Sequence, residues 1–415
     1  MFRKTISDLN ATKQQIYALS QQTDVFQICD SNNVAPALNV GNYELIAGFG
    51  LLEYLPSNSN EAAKRISQMN KWCFGYLEYP KTYQTEFATS RMFIPKIVIA
   101  IKRNSMELEM LNNGISEDEF AQWQAKLDAP CHLPEALNIK DFTFNAVTEK
   151  DEYICKVNQI KKDILYGKYY EMNYCIEFRA HLPSVPFLPY MLRLNERTQA
   201  PFSAFAKIGE VSILCSSPER FMTKNGDYLV SQPIKGTNHR MEGEENNMQL
   251  MVLKNSEKER AENVMIVDLV RNDLSHVCKA GTIKVDELFG TYPFKTLNHL
   301  ISTVSGELEP YVEFGDIVSA MFPMGSMTGA PKLEVMKHID AYEDHQRGIY
   351  SGCLGYIDPA GCFDFNVIIR SLVYHHKDEN ISYKVGSAIT IDSVAEHEYE
   401  ECMLKGHRLE DLFRH

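Results

Sequence analysis

Between Arg220 and Thr237 the chain has room for one kind of local structure. Arg220-Phe221-Met222-Thr223 and Tyr228-Leu229-Val230 are strand-forming runs on either side of Asn225-Gly226-Asp227, a hairpin turn signal. The second run continues through Ser231-Gln232-Pro233-Ile234 into Lys235-Gly236-Thr237, where the glycine permits a positive φ or a close backbone approach. This commits the middle of the chain to antiparallel sheet and places Lys235 near a strand end. Beside an apolar wall an ammonium loses pKa, because desolvation disfavours its charged form, and the neutral amine is a nucleophile. A lone lysine is usually a surface residue with a snorkelling stem, so the surrounding chain decides between the two readings.

With 415 residues, 44% of them hydrophobic and 11% aromatic, the sequence supports a large core. Its net charge of −13 and the lack of any basic run exclude nucleic acid and anionic membrane as expected partners. The ten cysteines form no CxxC pair, which speaks against a zinc site or disulfide framework and for a reducing cytoplasm. The start of the sequence is polar, and Ile97 to Ile101 is too short to span a bilayer.

Residues 1–145 mix strand-like runs (Tyr43 to Leu52, Ile94 to Ile101) with helical stretches (Asn60 to Lys71, Ser116 to Leu127), and Asp128 to Asn145 reads as a boundary. From Glu149 to Tyr166 a helical spacing sets Tyr153, Val157, Ile160, Ile164 and Leu165 on an apolar stripe, ended by Gly167. Strand-like segments follow at Tyr174 to Phe178, Phe205 to Ile208 and Val211 to Cys215.

Three groupings carry chemistry. Ser217-Pro218-Glu219 precedes the hairpin, so Glu219 falls near the same end as Lys235, an acid or base beside a nucleophile. Two ExxE pairs follow capping-box patterns: Glu259 and Glu262 after Ser256, and Glu398 and Glu401 after Ser393. A single ExxE is ordinarily a solvated helix face, but two such helices suggest facing carboxylates for Mg²⁺, a hard ion that completes its shell with substrate and water. The third grouping is cationic. Phe322 to Lys332 has the outline of an anion loop before a helix from Leu333 to Ile339, Arg370 ends the strand Phe365 to Ile369, and Lys405 lies one turn beyond Glu401. The loop lacks the GK-[ST] of a nucleotide site. Ser351-Gly352-Cys353-Leu354-Gly355 only approximates a glutaminase elbow, so Cys353 reads as a buried apolar residue.

From about Tyr153 to Lys405 the sequence resembles the chorismate-utilising enzymes, and within them the aminodeoxychorismate synthase component I branch. The motifs run in the family's order: SPERF (217–221), PIKGT (233–237), KERAENVMIVDLVRND (258–273), HLISTVSG (299–306), GSMTGAPK (325–332), GIYSGCLGY (348–356), FNVIIRS (365–371) and EYEECMLK (398–405). The resemblance implies an α+β fold of large antiparallel β-sheets packed as a sandwich and flanked by helices. It also implies that residues 1–145 co-fold with a catalytic region at 146–415.

It further implies that Lys235, in place of the alanine of anthranilate, isochorismate and salicylate synthases, attacks ring carbon 2 of chorismate while Glu219 helps the 4-hydroxyl leave. Glu171 stands where the hydrating relatives carry a water-activating lysine. Ammonia, delivered by a separate glutamine amidotransferase subunit, would then give 4-amino-4-deoxychorismate for p-aminobenzoate and folate. Mg²⁺ is expected between Glu259, Glu262, Glu398 and Glu401. His299 is implied in catalysis, and Thr237, Ser326, Tyr350, Arg370, Gly386 and Lys405 in holding substrate. Gly386-Ser387-Ala388-Ile389-Thr390 departs from the glycine-rich run of many relatives, and residues other than glycine reach positive φ at a cost, so a reshaped carboxylate pocket is expected there. The alternatives are an anthranilate synthase component I and a non-enzymatic metal-binding protein.

Overall fold

Alternation along single strands sorts the side chains into layers. In the computed structural model, which describes residues 1–34, 41–85, 87–135, 139 and 142–414, Ile97, Ile99 and Ile101 face one apolar cluster while Val98 and Ala100 face another. Phe205 and its neighbours Ala204 and Ala206 divide the same way. Side chains of a strand point alternately to opposite faces, so each such strand lies between two cores.

Two sheets result. The first runs Phe2–Thr5, Glu107–Asn112, Ile97–Lys102, Tyr43–Phe49, Phe26–Asp30, Phe202–Ile208, Val211–Ser217, Ser371–His375, Asn380–Ile389, Glu171–His181 and Gly329–Ala330, with Asn145–Ala146 beside Glu171–His181. The second runs Ile234–His239, Leu297–Glu307, Tyr228–Gln232, Arg220–Asn225, Phe363–Val367, Cys353–Ile357, Cys73–Leu77, Ser90–Ile94 and Glu53–Tyr54, with Lys284–Pro293 beside Leu297–Glu307. Neighbouring strands pair antiparallel throughout the described residues.

The sheets pack face to face over Ile46, Val98, Ala204 and Ile213 from the first and Phe74, Tyr76, Phe93 and Leu354 from the second. On the first sheet's other face lie helices including Lys150–Leu165, Leu188–Thr198 and Ala395–Glu410, and on the second's lie Ser59–Ser67, Glu257–Leu274 and Phe314–Met321. The α+β sandwich is thus four layers deep. Phe26–Asp30 pairs with Phe202–Ile208, and Cys73–Leu77 with Cys353–Ile357, so both sheets draw strands from both parts of the chain. Of the expected boundary segment, residues 136–138, 140 and 141 lie outside the described residues.

Several local readings change. The run from Ile94 to Ile101 is two strands in different sheets, because Pro95 and Lys96 interrupt it and the chain crosses the sandwich there. The helix Lys150–Leu165 buries Tyr153, Val157 and Ile160, but Leu165 is 72% exposed because the helix ends beneath it. Ser256 caps its helix as expected, its hydroxyl accepting from the Glu259 N–H. Ser393 does not: its hydroxyl accepts from the Thr390 N–H, and the helix starts at Ala395. Among the described residues no helix is long and apolar enough to cross a membrane, and Ile97–Lys102 is an interior strand.

Candidate active site

The hairpin forms as its turn chemistry dictates, with Asn225 opposite Tyr228 and Gly226 at φ +59°. Pro233 then ends one strand and Ile234–His239 begins another, both paired with Leu297–Glu307. Ile234 lies opposite Ile301 and Thr237 opposite His299, so three steps on one strand match two on the other. The extra residue is a bulge at Lys235-Gly236, with Gly236 at φ +91°. A Cβ on Gly236 would stand 2.8 Å from Glu259 Oε2, so glycine lets the helix Glu257–Leu274 close onto the strand.

A cavity of about 230 Å³ opens at this bulge. Lys235, Glu219 and His299 line it, as do Thr237, Ser326, Tyr350, Arg370, Gly386 and Lys405 and the four glutamates Glu259, Glu262, Glu398 and Glu401. Every one of these residues, spread over almost two hundred positions, therefore meets at one place. A larger cleft, about 780 Å³, reaches Tyr350 and Lys384 from another side but holds none of the four glutamates.

Lys235 is 8% exposed, and its ammonium donates to Glu171 Oε1 at 2.6 Å. This corrects the expectation of a lowered pKa. Burial does pull it down, but the charges of Glu171, Glu262 and Glu219 outweigh burial and raise it, so the resting lysine is an ammonium. Glu219 behaves oppositely. Burial pushes its carboxyl up to about 7, against the Ser326 hydroxyl, the Ile234 N–H and the charges of Lys235 and Arg370. Near neutral pH its acid form is therefore accessible, as a proton donor requires.

His299 is 1% exposed with both ring nitrogens unpartnered among the described residues, and its ring lies 4.8 Å from that of Phe294, tilted by 51°. Burial, then Arg370 and Arg408, hold its pKa well below the usual range, so it is neutral. Arg370 sits at φ +51°, a costly conformation for a residue with a Cβ and one that surrounding structure has to impose. It follows the strand Phe363–Val367, and burial and Arg408 bring its pKa down to about 10, leaving it charged.

Lys405 pairs with Glu401 at 2.7 Å and donates to the Gly386 carbonyl at 2.9 Å. The departure at Gly386-Ser387-Ala388 costs the backbone nothing: the three continue the strand Asn380–Ile389 in register with Asn173 to Cys175, and none has positive φ. Ser387 turns to the core, where its hydroxyl meets Tyr153 Oη at 3.3 Å. The expected anion loop is also corrected. Lys332 opens the helix Lys332–Tyr342 but is spent on Asp273 at 2.5 Å, and Ser326 is the polar side chain of that loop in the cavity. Cys353 is buried in a strand with its thiol pushed up by burial, as read from the sequence.

The two ExxE pairs face each other across the cavity. Burial raises the Glu259 carboxyl, and Glu401 and Glu398 add to the rise; Glu262 is pushed up to about 7, chiefly by burial. Crowded carboxylates suit a hard divalent cation, although at Glu401 burial is outweighed by Lys405, which lowers that carboxyl. Among the described residues no three of the four bring an oxygen each within 4.8 Å of one another, so a cation there has to take further oxygens from substrate and water. Cys175, Glu343 and His345 do gather that closely, but Glu343 is committed to Arg347.

Glu171 is the residue that sequence reasoning passed over, noted there only for not being lysine. Asn173 and Lys384 line the cavity as well. Their signal was the two-residue period of paired strands, visible once Glu177 is known to face Lys384.

Comparison with known proteins follows the same lines. A family described as chorismate binding enzyme matches residues 13–411. Aminodeoxychorismate synthase component 1 of Escherichia coli is 37% identical over 275 residues, covering 65% of this chain and 60% of that protein. The chloroplastic aminodeoxychorismate synthase of Arabidopsis thaliana is 40% identical over 261 residues, 62% of this chain and 28% of that protein. The matched region thus spans less than two thirds of each relative's length. In structure, the menaquinone-specific isochorismate synthase of Escherichia coli superposes with a TM-score of 0.79 at 17% identity, covering 96% of this chain and 91% of that one.

Proposed function

The chain belongs to the chorismate binding enzyme family, and from that premise we propose that it is an aminodeoxychorismate synthase component I, making 4-amino-4-deoxychorismate from chorismate and ammonia for p-aminobenzoate and folate synthesis. The observation that carries this reading is Lys235, delivered by a bulge into the cavity with Glu219, whose carboxyl burial raises, beside it. Relatives that share 37% and 40% identity and bear the aminodeoxychorismate synthase name support it.

In this reading the Lys235 amine attacks ring carbon 2 of chorismate. Both ring double bonds shift, the C4–O bond breaks, and Glu219 protonates the departing hydroxyl to water. Ammonia then bonds to carbon 4 and expels the lysine. Arg370 and Lys405 bring positive charge to the substrate carboxylates, with Thr237, Ser326, Tyr350 and the Gly386 backbone lining the pocket. His299, neutral and with free nitrogens, offers the cavity a hydrogen bond without adding charge. Glu259, Glu262, Glu398 and Glu401 would hold Mg²⁺, which when bound supplies positive charge for the ring carboxylate.

Ammonia would come from a separate glutamine amidotransferase, in keeping with the words "component 1" in the relative's name and with Cys353 being buried in a strand. All ten cysteines are unpaired, which supports placement in a reducing cytoplasm.

The test is mass analysis of the product formed from chorismate, Mg²⁺ and ammonium salt. Aminodeoxychorismate is expected, with turnover lost in excess chelator. Accumulation of fluorescent anthranilate, or no reaction of chorismate, would overturn the reading.

A further inference from the structure

The amine of Lys235 has to lose a proton before it can attack, and the structure holds it as an ammonium. Four carboxylates other than Glu171 act on it, and each has another task in the proposed reaction. Glu219 has to be the acid, and Glu259, Glu262 and Glu401 face the cation position. Glu171 is fully buried, touches Nζ through Oε1 at 2.6 Å, and leaves Oε2 buried without any partner among the described residues. Its backbone is fixed: Glu171 pairs with Ala330 and Met172 with Ile389, and a Cβ on Gly329 would lie 2.1 Å from the Glu171 carbonyl.

We propose that Glu171 is the proton acceptor for Lys235, taking a proton from the ammonium before attack and returning one when the lysine is expelled. This rests on the reading of Lys235 as nucleophile. Two buried opposite charges are costly to keep out of water, and moving one proton across the hydrogen bond leaves a neutral amine and a neutral acid, which lowers that cost and offsets part of the Coulomb attraction given up. The atoms balance. The proton goes from Nζ to Glu171; the N–C2 bond forms as C4–O breaks and Glu219 protonates the leaving hydroxyl. In the second half ammonia bonds to C4, C2–N breaks, Glu171 gives its proton back to the lysine, and the new C4 ammonium gives one proton back to Glu219. The sum is chorismate plus ammonia to product plus water.

The experiment follows the Lys235–substrate adduct by mass spectrometry after mixing enzyme, Mg²⁺ and chorismate without ammonia, and its decay once ammonium is added. Glu171→Gln keeps the shape and removes the acceptor, so formation and decay should both slow by about 100-fold or more, with KM for chorismate little changed. Glu171→Asp keeps the charge but withdraws it, and should fall between wild type and Gln. Wild-type formation and decay rates in either variant would overturn the proposal, and the Asp variant decides alone if Gln fails to fold. Absence of any adduct in the wild type would instead defeat the nucleophile reading, so the two failures are told apart.

Discussion

Gly236 lies directly against Glu259: a Cβ at position 236 would stand 2.8 Å from Oε2 and 3.1 Å from Cβ of that glutamate, at a φ of +91°. The backbone that delivers Lys235 and the helix that carries the first ExxE pair are therefore one tight contact. Gly236→Ala should cost about 1–2 kcal/mol in left-handed backbone strain and push Glu259 out of place. The expected result is a lower melting temperature together with a raised Mg²⁺ requirement for turnover. A variant with unchanged Mg²⁺ dependence would show that Glu259 does not serve the cation.

Lys235→Ala should abolish the covalent adduct with chorismate while leaving the cavity and Glu219 able to orient substrate, so residual or altered products are expected. Lys235→Arg should be no better, since guanidinium does not deprotonate to become a nucleophile. Wild-type product formation by Lys235→Ala at every ammonia concentration would reduce the lysine to a charge or a packing element.

Glu219 predicts a pH limb. Its carboxyl is pushed up to about 7 by burial, and in the proposed reaction the acid form is the one that assists the leaving hydroxyl, so kcat/KM should fall as pH rises through that value. Glu219→Gln should lose about 10²–10⁴-fold in rate and lose the limb. Stability carries the same sign: with the folded pKa raised from 4.5 to about 7, the native state binds more protons in that interval and stability falls as pH rises across it. Thermal melts of wild type and Glu219→Gln at pH 5 and pH 8 check this, the variant gaining relative to wild type at pH 8.

Arg347 predicts a fold-level effect that reaches the site. Its guanidinium is 1% exposed and forks onto Glu343, itself 2% exposed, and it also donates to the carbonyls of Met327 and Asn173. These carbonyls belong to the loop of Ser326 and the strand of Glu171. Arg347→Met would leave a buried carboxylate unpaired, which typically costs about 3–5 kcal/mol. Denaturation should show that loss, and Glu343→Gln in the same chain should recover part of it. Equal stability of wild type and Arg347→Met would contradict a buried pair.

The sequence by itself determined the chemistry on offer. The Asn225-Gly226 turn, the cap at Ser256 and the order of the motifs depend on interactions a few residues apart or on residue type, and these are written in the chain directly. The capping pattern at Ser393 shows the limit of that local code, since Thr390 was an equally near partner. What tertiary structure alone decided was how charges add up. Lys235 looked like a lysine with a lowered pKa because its apolar approach was visible, whereas Glu171, 64 positions earlier, was not. Whether burial or charge prevails at Nζ depends on carboxylates that arrive from separate strands and helices. Coulomb energy depends on distance in space, and no spacing along the chain encodes it.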